Sequence, residues 1–277
     1  MEINNLTSED IEKMDYNQLI GLTKETNRIP GGRNTVFEIV NRTCIDRKSK
    51  VLEIGTSTGF TAIELSKLIP CDLTSIDINE MSLKEAAKRA SVEELDNISF
   101  KKADVNSLPF ENGTFDLVII GNVLSLMSNR EKAFEECRRV CKKTGFIVAV
   151  PMYYTEVPSA KLVSDVSRAI KVDITPLYKD DWEKFFDLPG LEKYLESNFK
   201  FDYIEDSVVN SFVESILGRR HLKNLRPETM KKLKENYKDY MFLFRENLSK
   251  MAYTVLLLSN EMVWEDLELY TSKKINL

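Results

Sequence analysis

Val51-Leu52-Glu53-Ile54-Gly55-Thr56-Ser57-Thr58-Gly59-Phe60 is an apolar run of strand length that passes through one carboxylate into a turn bounded by two glycines. A buried strand, a sharp turn and the opening of a helix form the element with which an open α/β sheet presents a ligand site at the carboxyl ends of its strands. Gly55 lets the chain turn with no Cβ in the way, and Gly59 lets the following helix pack close to the strand. A dinucleotide-binding turn reads G-x-G-x-x-G, its middle glycine admitting the pyrophosphate. Here Ser57 stands at that place and the run reads E-x-G-x-x-x-G, which points away from NAD.

Three more strand ends follow in order. Leu73-Thr74-Ser75-Ile76-Asp77-Ile78-Asn79 ends in a carboxylate, and Asp77 offers two acceptor oxygens to a pair of adjacent ribose hydroxyls. Ile98 to Asp104, then Val105 and Leu108-Pro109-Phe110, form the third. Gly113-Thr114-Phe115-Asp116-Leu117-Val118-Ile119-Ile120 runs into Gly121-Asn122-Val123-Leu124 as the fourth.

The ordered set resembles the class I S-adenosylmethionine-dependent methyltransferases. It covers residues 50–150 well, and 180–210 and 250–258 loosely. The resemblance implies that Gly55, Thr56, Ser57, Thr58 and Gly59 face the methionine part of the cofactor and that Glu53 orders the site. It also implies that Asp77, Ile78 and Asn79 hold the ribose side, that Asp104 and Val105 take the adenine, and that Asn122 and Val123 line the methionine end. Asp116, at the start of its strand, is expected to support the fold. The implied fold class is α/β, a seven-stranded, mostly parallel, doubly wound sheet of order 3-2-1-4-5-7-6 whose last strand is antiparallel, with an N-terminal helical lid and a helical insertion.

Residues 1–45 read as that lid and residues 46–277 as the methyltransferase domain. Ser8 is placed to cap a first helix, Leu19, Ile20 and Leu22 give the next its apolar face, and Asn27 to Gly32 break it. Tyr16, Arg28 and Gly31 are the lid residues expected to touch ligand, with interdomain packing as the alternative. Pro151-Met152-Tyr153-Tyr154 falls at the carboxyl edge of the fifth strand, where Tyr153 and Tyr154 either pack on a substrate or join the core. Phe199 to Ile204 and Met251 to Leu258 read as the last two strands. Between them Pro227 starts a long helix in which Met230, Leu233, Tyr237, Tyr240, Met241, Phe244 and Leu248 recur at three- and four-residue spacing. The stretch 210–250 is therefore an insertion, either a cap over the acceptor or a homodimer contact. The tail from Glu261, with Trp264 and Tyr270, has no assigned place.

With 277 residues, 43% of them hydrophobic, the chain can bury the core of one full α/β domain and an elaboration. A net charge of −5 argues against a nucleic-acid partner, and no apolar run approaches a membrane span. A cytoplasmic protein acting on a small molecule is expected. Four cysteines without a secretory pattern read as reduced thiols; Cys44 and Cys71 look like core residues. Cys137 and Cys141 lie four apart on an expected helix, yet one histidine and no further cysteine cannot complete a zinc site, so no metal is expected.

Methyl transfer from a sulfonium depends chiefly on alignment, and a base is needed only when the acceptor must lose a proton. His221, the single histidine, is the candidate base; Glu156, Asp180 and Asp181 are alternatives. The Asn/Asp-Pro-Pro-aromatic signature of adenine and glutamine N-methyltransferases is replaced by Gly121-Asn122-Val123-Leu124, which favours another acceptor. Two other functions share these features: binding of the cofactor without turnover, and nicotinamide-dependent oxidoreduction.

Overall fold

The structure, a computed structural model, describes residues 5–260. Trp264, Tyr270 and the rest of the tail lie outside them. The strands are β1 (Lys50–Ile54), β2 (Asp72–Asp77), β3 (Ile98–Lys102), β4 (Phe115–Gly121), β5 (Cys141–Ala149), β6 (Met152–Tyr154), β7 (Glu192–Lys200) and β8 (Met251–Ser259). The helices are α1 (Ser8–Lys13), α2 (Tyr16–Thr23), α3 (Arg33–Thr43), α4 (Phe60–Leu68), α5 (Glu80–Val92), α6 (Arg130–Val140), α7 (Ala160–Ile170), α8 (Lys179–Phe185), α9 (Asp206–Leu217) and α10 (Pro227–Ser249).

β3, β2, β1, β4 and β5 are parallel neighbours in that order, and β8 pairs antiparallel with β5. β7 closes the edge on the far side of β8, while three-residue β6 continues the line of β5 along the start of β8. With β6 left uncounted, the order is the expected 3-2-1-4-5-7-6. β1 and β4 are apolar on both sides because both faces are covered. Leu52, Ile54, Val118 and Ile120 pack with Phe134 and Cys137 of α6 and with Trp182 of α8. Val51, Leu117 and Ile119 pack with Val36 and Ile39 of α3 and with Phe60 and Leu65 of α4. Asp116 accepts the Lys50 backbone N–H at 2.8 Å and the Lys142 ammonium at 2.6 Å, tying strand starts at the end of the sheet away from the ligand turns.

A third core joins elements far apart in sequence. Leu6, Ile11 and Leu19 pack with Val213, Ile216 and Leu217 of α9 and with Leu233 and Tyr237 of α10. The described part of the expected lid, residues 5–45, thus divides: α1 and α2 share a helical layer with the insertion, whereas α3 belongs to the sheet. Thr229 Oγ1 donates to the Leu6 carbonyl and Asn236 Nδ2 to that of Ile11, so this layer is sewn together by polar as well as apolar contacts.

Several local expectations are corrected. The cap of α1 is Thr7, not Ser8, in a reciprocal capping box with Asp10. The strand expected at 199–204 is β7, at Glu192–Lys200, and residues 201–205 leave the sheet. α6 stops at Val140 and Cys141 opens β5, so Cys137 and Cys141 do not share a helical face. Cys44 is exposed, in the left-handed conformation that ends α3. Cys71, Cys137 and Cys141 are buried free thiols; burial pushes Cys71 up to about 11 and Cys141 up to about 12, which keeps both protonated. Among the described residues no helix is long and apolar enough to cross a membrane, and no group of three or more His, Cys, Asp or Glu is placed to hold a metal ion.

Candidate functional site

A cleft of about 410 Å³ opens where β1 and β4 end, roofed by the segment that links α2 to α3. Glu53 to Ser57 form its floor, Gly121, Asn122 and Val123 one wall, and Asn27, Arg28 and Ile29 the roof.

The floor follows from the backbone. Gly55 sits at φ +74°, and a Cβ there would stand 2.3 Å from Val123 Cγ2, so glycine is required both for the turn and for the close approach of the opposite wall. Ser57 also takes a left-handed φ, +49°, which costs a residue bearing a Cβ. Its backbone N–H donates to Asp77 Oδ2 at 2.8 Å, and Asp77 Oδ1 accepts the Asn79 N–H at the same distance. Asp77 thus fixes the turn after β1 to the turn after β2. Gly59, at φ +83°, starts α4 where a Cβ would press on Ala86 of α5.

Glu53 is 4% exposed. The β1–β2 register sets it opposite Ser75, whose hydroxyl donates to Glu53 Oε2 at 2.9 Å. Burial pushes its pKa up, and the hydroxyls of Thr56, Ser75 and Thr61 beside it hold that rise back. Thr56 Oγ1 is buried in the cleft beside the Glu53 carboxylate, close enough to favour its charged form but without a well-aligned hydrogen bond among the described residues, so it retains capacity for a polar ligand seated here.

Of the remaining cofactor candidates Asn122 and Val123 line the cleft, whereas Ile78 and Asn79 after β2, and Asp104 and Val105 after β3, are not among its lining residues. Ile78 is 70% exposed beside Asp77, an apolar surface of the kind a planar base covers. Asn79 caps α5 through the Met81 and Ser82 N–H groups. Asp104 accepts from Asn106 N and Nδ2, both at 2.9 Å, while Val105 is buried beneath it. Asn122 Nδ2 lies 3.3 Å from Met152 Sδ. Thr58 points towards the roof: its hydroxyl accepts the Asn27 backbone N–H and Arg89 Nη1.

The substrate and lid candidates are not gathered in one place. Arg28 lines the cleft. Gly31 packs against Thr35 and the hydroxyl of Tyr253, away from it. Tyr16 packs at a tilt against Tyr240 and Phe244 of α10, its ring centre 4.4 Å from that of Phe244; burial, with Glu25 nearby, pushes its phenol pKa up. Tyr153 is buried with its hydroxyl on Asn198, and Tyr154 is buried with its hydroxyl 2.7 Å from Asn247 of α10. Neither tyrosine lines the cleft. His221 Nε2 lies 3.0 Å from the Leu22 carbonyl, so this nitrogen carries a proton in that contact.

The sequence reading missed Asn27, Ile29 and Thr61 as lining groups and Arg89 as a fastener. Asn27 and Ile29 belong to the quoted breaker segment, and an asparagine beside a lid arginine was the available signal. Arg89 stands in mid-helix with no local mark of its role; its guanidinium donates to Thr26 Oγ1 at 3.1 Å and to the carbonyls of Lys24 and Glu25 at 2.9 and 3.3 Å.

A sequence profile described as "Methyltransferase domain" matches residues 45–241. A demethylmenaquinone methyltransferase of Thermotoga maritima is 32% identical over 104 residues, covering 37% of this chain and 43% of that protein, so the match spans less than half of the relative's length. Among solved structures, the MccD protein superimposes with a TM-score of 0.70 at 24% identity, over 84% of this chain and 99% of the other. The phosphoethanolamine N-methyltransferase 2 of Haemonchus contortus, solved with phosphomonomethylethanolamine and S-adenosylhomocysteine, does so with a TM-score of 0.67 at 15% identity, over 92% and 58%. At these identities the structural likeness concerns the fold.

Proposed function

The chain belongs to the methyltransferase-domain family, a class I enzyme using S-adenosylmethionine, and we propose that it transfers the methyl group to a nucleophilic atom of a small-molecule acceptor. The observation that carries this reading is the floor of the cleft. A buried carboxylate, a buried Thr56 hydroxyl without a well-aligned hydrogen bond and a left-handed turn tied to Asp77 converge at the carboxyl ends of β1, β2 and β4. Those groups fit the cofactor. Asp77 would offer acceptors to its ribose, Ile78 an apolar surface to its base, Glu53 negative charge to its ammonium, and Asp104 an acceptor to the exocyclic amine.

When bound, S-adenosylmethionine supplies an electrophilic methyl carbon on a sulfonium. The chain's contribution is then to orient and to exclude water. Asn122 and Val123 form the wall beside the floor, and Ile29, 3.6 Å from the position of a Cβ on Gly121, presses the roof against the end of β4. A roof laid over the floor limits the water that can compete with the acceptor, and alignment of nucleophile, carbon and leaving sulfur does most of the work.

Isothermal titration with S-adenosylmethionine, S-adenosylhomocysteine and NAD tests the reading. Micromolar binding of the first two with none of NAD is expected, followed by transfer of labelled methyl to a member of a panel of phenols, amines and quinols. Binding of NAD alone overturns it, and cofactor binding with no transfer to any acceptor favours a binding protein without turnover.

A further inference from the structure

The apolar stripe of α10 is not left for a second copy of the chain. Met230, Leu233, Tyr237, Tyr240 and Met241 pack with Leu6, Ile11 and Leu19, and Phe244 lies against Tyr16. Exposed apolar side chains gather instead around the last strand of the sheet. Tyr194 and Phe199 of β7, then Tyr203, Ile204 and Val208 on the way into α9, are each 40–55% exposed. The segment after β7 is held in place while its side chains stay out. Arg245 of α10 donates to the Ile204 carbonyl at 3.2 Å, and its guanidinium carbon lies 4.8 Å from the centre of the Tyr203 ring.

β7 pairs with β8 alone among the described strands, so its outer side presents backbone N–H and C=O groups to solvent. Edges that stay single are short, bent or broken by proline. β7 has nine residues and no proline, and its bulge, between Lys193 and Leu195, leaves Leu195 to Lys200 in unbroken register with Leu257 to Ala252. That register sorts the side chains. Leu195, Ser197 and Phe199 stand opposite Leu257, Val255 and Tyr253, on the α3 and α4 face. Glu196, Asn198 and Lys200 stand opposite Leu256, Thr254 and Ala252, on the α6 and α8 face. Glu196 is fixed by Lys179 at 3.0 Å, Lys193 at 3.1 Å and Asn198 Nδ2 at 3.1 Å. Lys200 is exposed and makes no salt bridge among the described residues, although Glu156 feels its charge.

We propose that the chain forms a two-fold homodimer in which β7 pairs antiparallel with β7 of a second copy, Asn198 opposite the partner's Asn198. Side chains directly opposite in an antiparallel pair share a face, so in a regular strand the axis must pass between two identical residues. Centred on Asn198, Glu196 meets the partner's Lys200 on each side of the axis, while Leu195 and Ser197 meet the partner's Phe201 and Phe199 on the other face. The Phe201 N–H still donates to the Met251 carbonyl at 3.3 Å, so the strand direction persists that far. Centring on Ser197 brings Glu196 only to an amide, and centring on Glu196 sets two carboxylates together. The ligand cleft, at the ends of β1 and β4, lies inward of β8 and β5 and stays open in this dimer.

Sedimentation velocity of the full chain over a wide range of concentration tests the pairing. The wild type is expected to dimerise. Lys200→Glu and Glu196→Lys each set like charges opposite one another on both sides of the axis, and each should weaken the dimer about tenfold or more. An equimolar mixture of the two variants restores both opposite-charge pairs and should recover a heterodimer of wild-type affinity. A wild type that stays monomeric overturns the proposal, as does a dimer that neither variant weakens. Loss in the single variants without recovery on mixing overturns the register, and the proposal with it. Should Glu196→Lys not fold beside Lys179 and Lys193, exposed Lys200 carries the test alone: Lys200→Arg must dimerise and Lys200→Glu must not, at unchanged melting temperature.

Discussion

Asp77 Oδ2 accepts the backbone N–H of Ser57 at 2.8 Å, across the gap between the turns that follow β2 and β1. Ser57 holds a left-handed φ that costs any residue with a Cβ, and this charge-assisted bond is one of the contacts that stabilise it. Asp77 therefore builds the turn as well as offering acceptors to a ligand, since each of its oxygens has capacity for a further bond.

Asp77→Asn tests that double role. The amide offers one acceptor in place of two, so either Ser57 or Asn79 loses the partner of its N–H. Stability should fall by about 1–2 kcal/mol, and S-adenosylhomocysteine affinity by roughly tenfold or more. Thermal melting and calorimetric titration read the two separately; an unchanged dissociation constant in a folded variant removes Asp77 from the site.

Glu53 gives a pH prediction of definite sign. Burial raises its pKa in the folded chain above that in the unfolded chain, so the folded state holds the proton to higher pH. Its protonated form favours folding at low pH, and that advantage is lost as pH rises from the unfolded value of about 4.3 through the folded one. Glu53→Gln keeps an acceptor for Ser75 and removes the charge. The melting temperature of the variant relative to wild type should increase as pH rises from about 4 to 7, while affinity for S-adenosylhomocysteine falls at neutral pH. A difference in melting temperature that is flat with pH would show that the carboxylate is not destabilised by its burial.

How much of this was legible follows from where each signal lay. The ligand-bearing ends of β1, β2 and β4 were readable because buried parallel strands are apolar on both faces and stop at glycine or a carboxylate. β7 was misplaced because Glu192–Lys200 lies at the sheet edge, half wet on both faces, and so carries neither a continuous apolar run nor a clean alternation to mark it as a strand. Tyr153 and Tyr154 stood open between substrate and core, and what placed them was β6 pairing with β8 about 100 residues further along the chain. The shared core of α1, α2, α9 and α10 was hidden for the same reason: two amphipathic patterns at opposite ends of the chain, Ser8–Thr23 and Asp206–Ser249, carry no mark of being each other's partner.

The fastening of the lid supplies the last prediction. α2 ends at Thr23, and the carbonyls that helix leaves unpaired are met by groups from two distant elements. Arg219 Nη1 donates to Thr23 O at 3.0 Å and to Lys24 O, His221 Nε2 stands on Leu22 O, and Arg89 of α5 takes Lys24 O and Glu25 O. Cations at a helix carboxyl end are stabilising, and here they also bind the insertion to the roof of the cleft. Arg219→Ala should loosen residues 22–28, seen as faster amide exchange there, and should raise the S-adenosylhomocysteine dissociation rate severalfold at a stability cost of about 1 kcal/mol. His221→Gln retains a donor for Leu22 O, so exchange and affinity should stay as in the wild type and methyl transfer should persist across pH. Loss of transfer in His221→Gln with lid exchange unchanged would instead make His221 the base that deprotonates the acceptor.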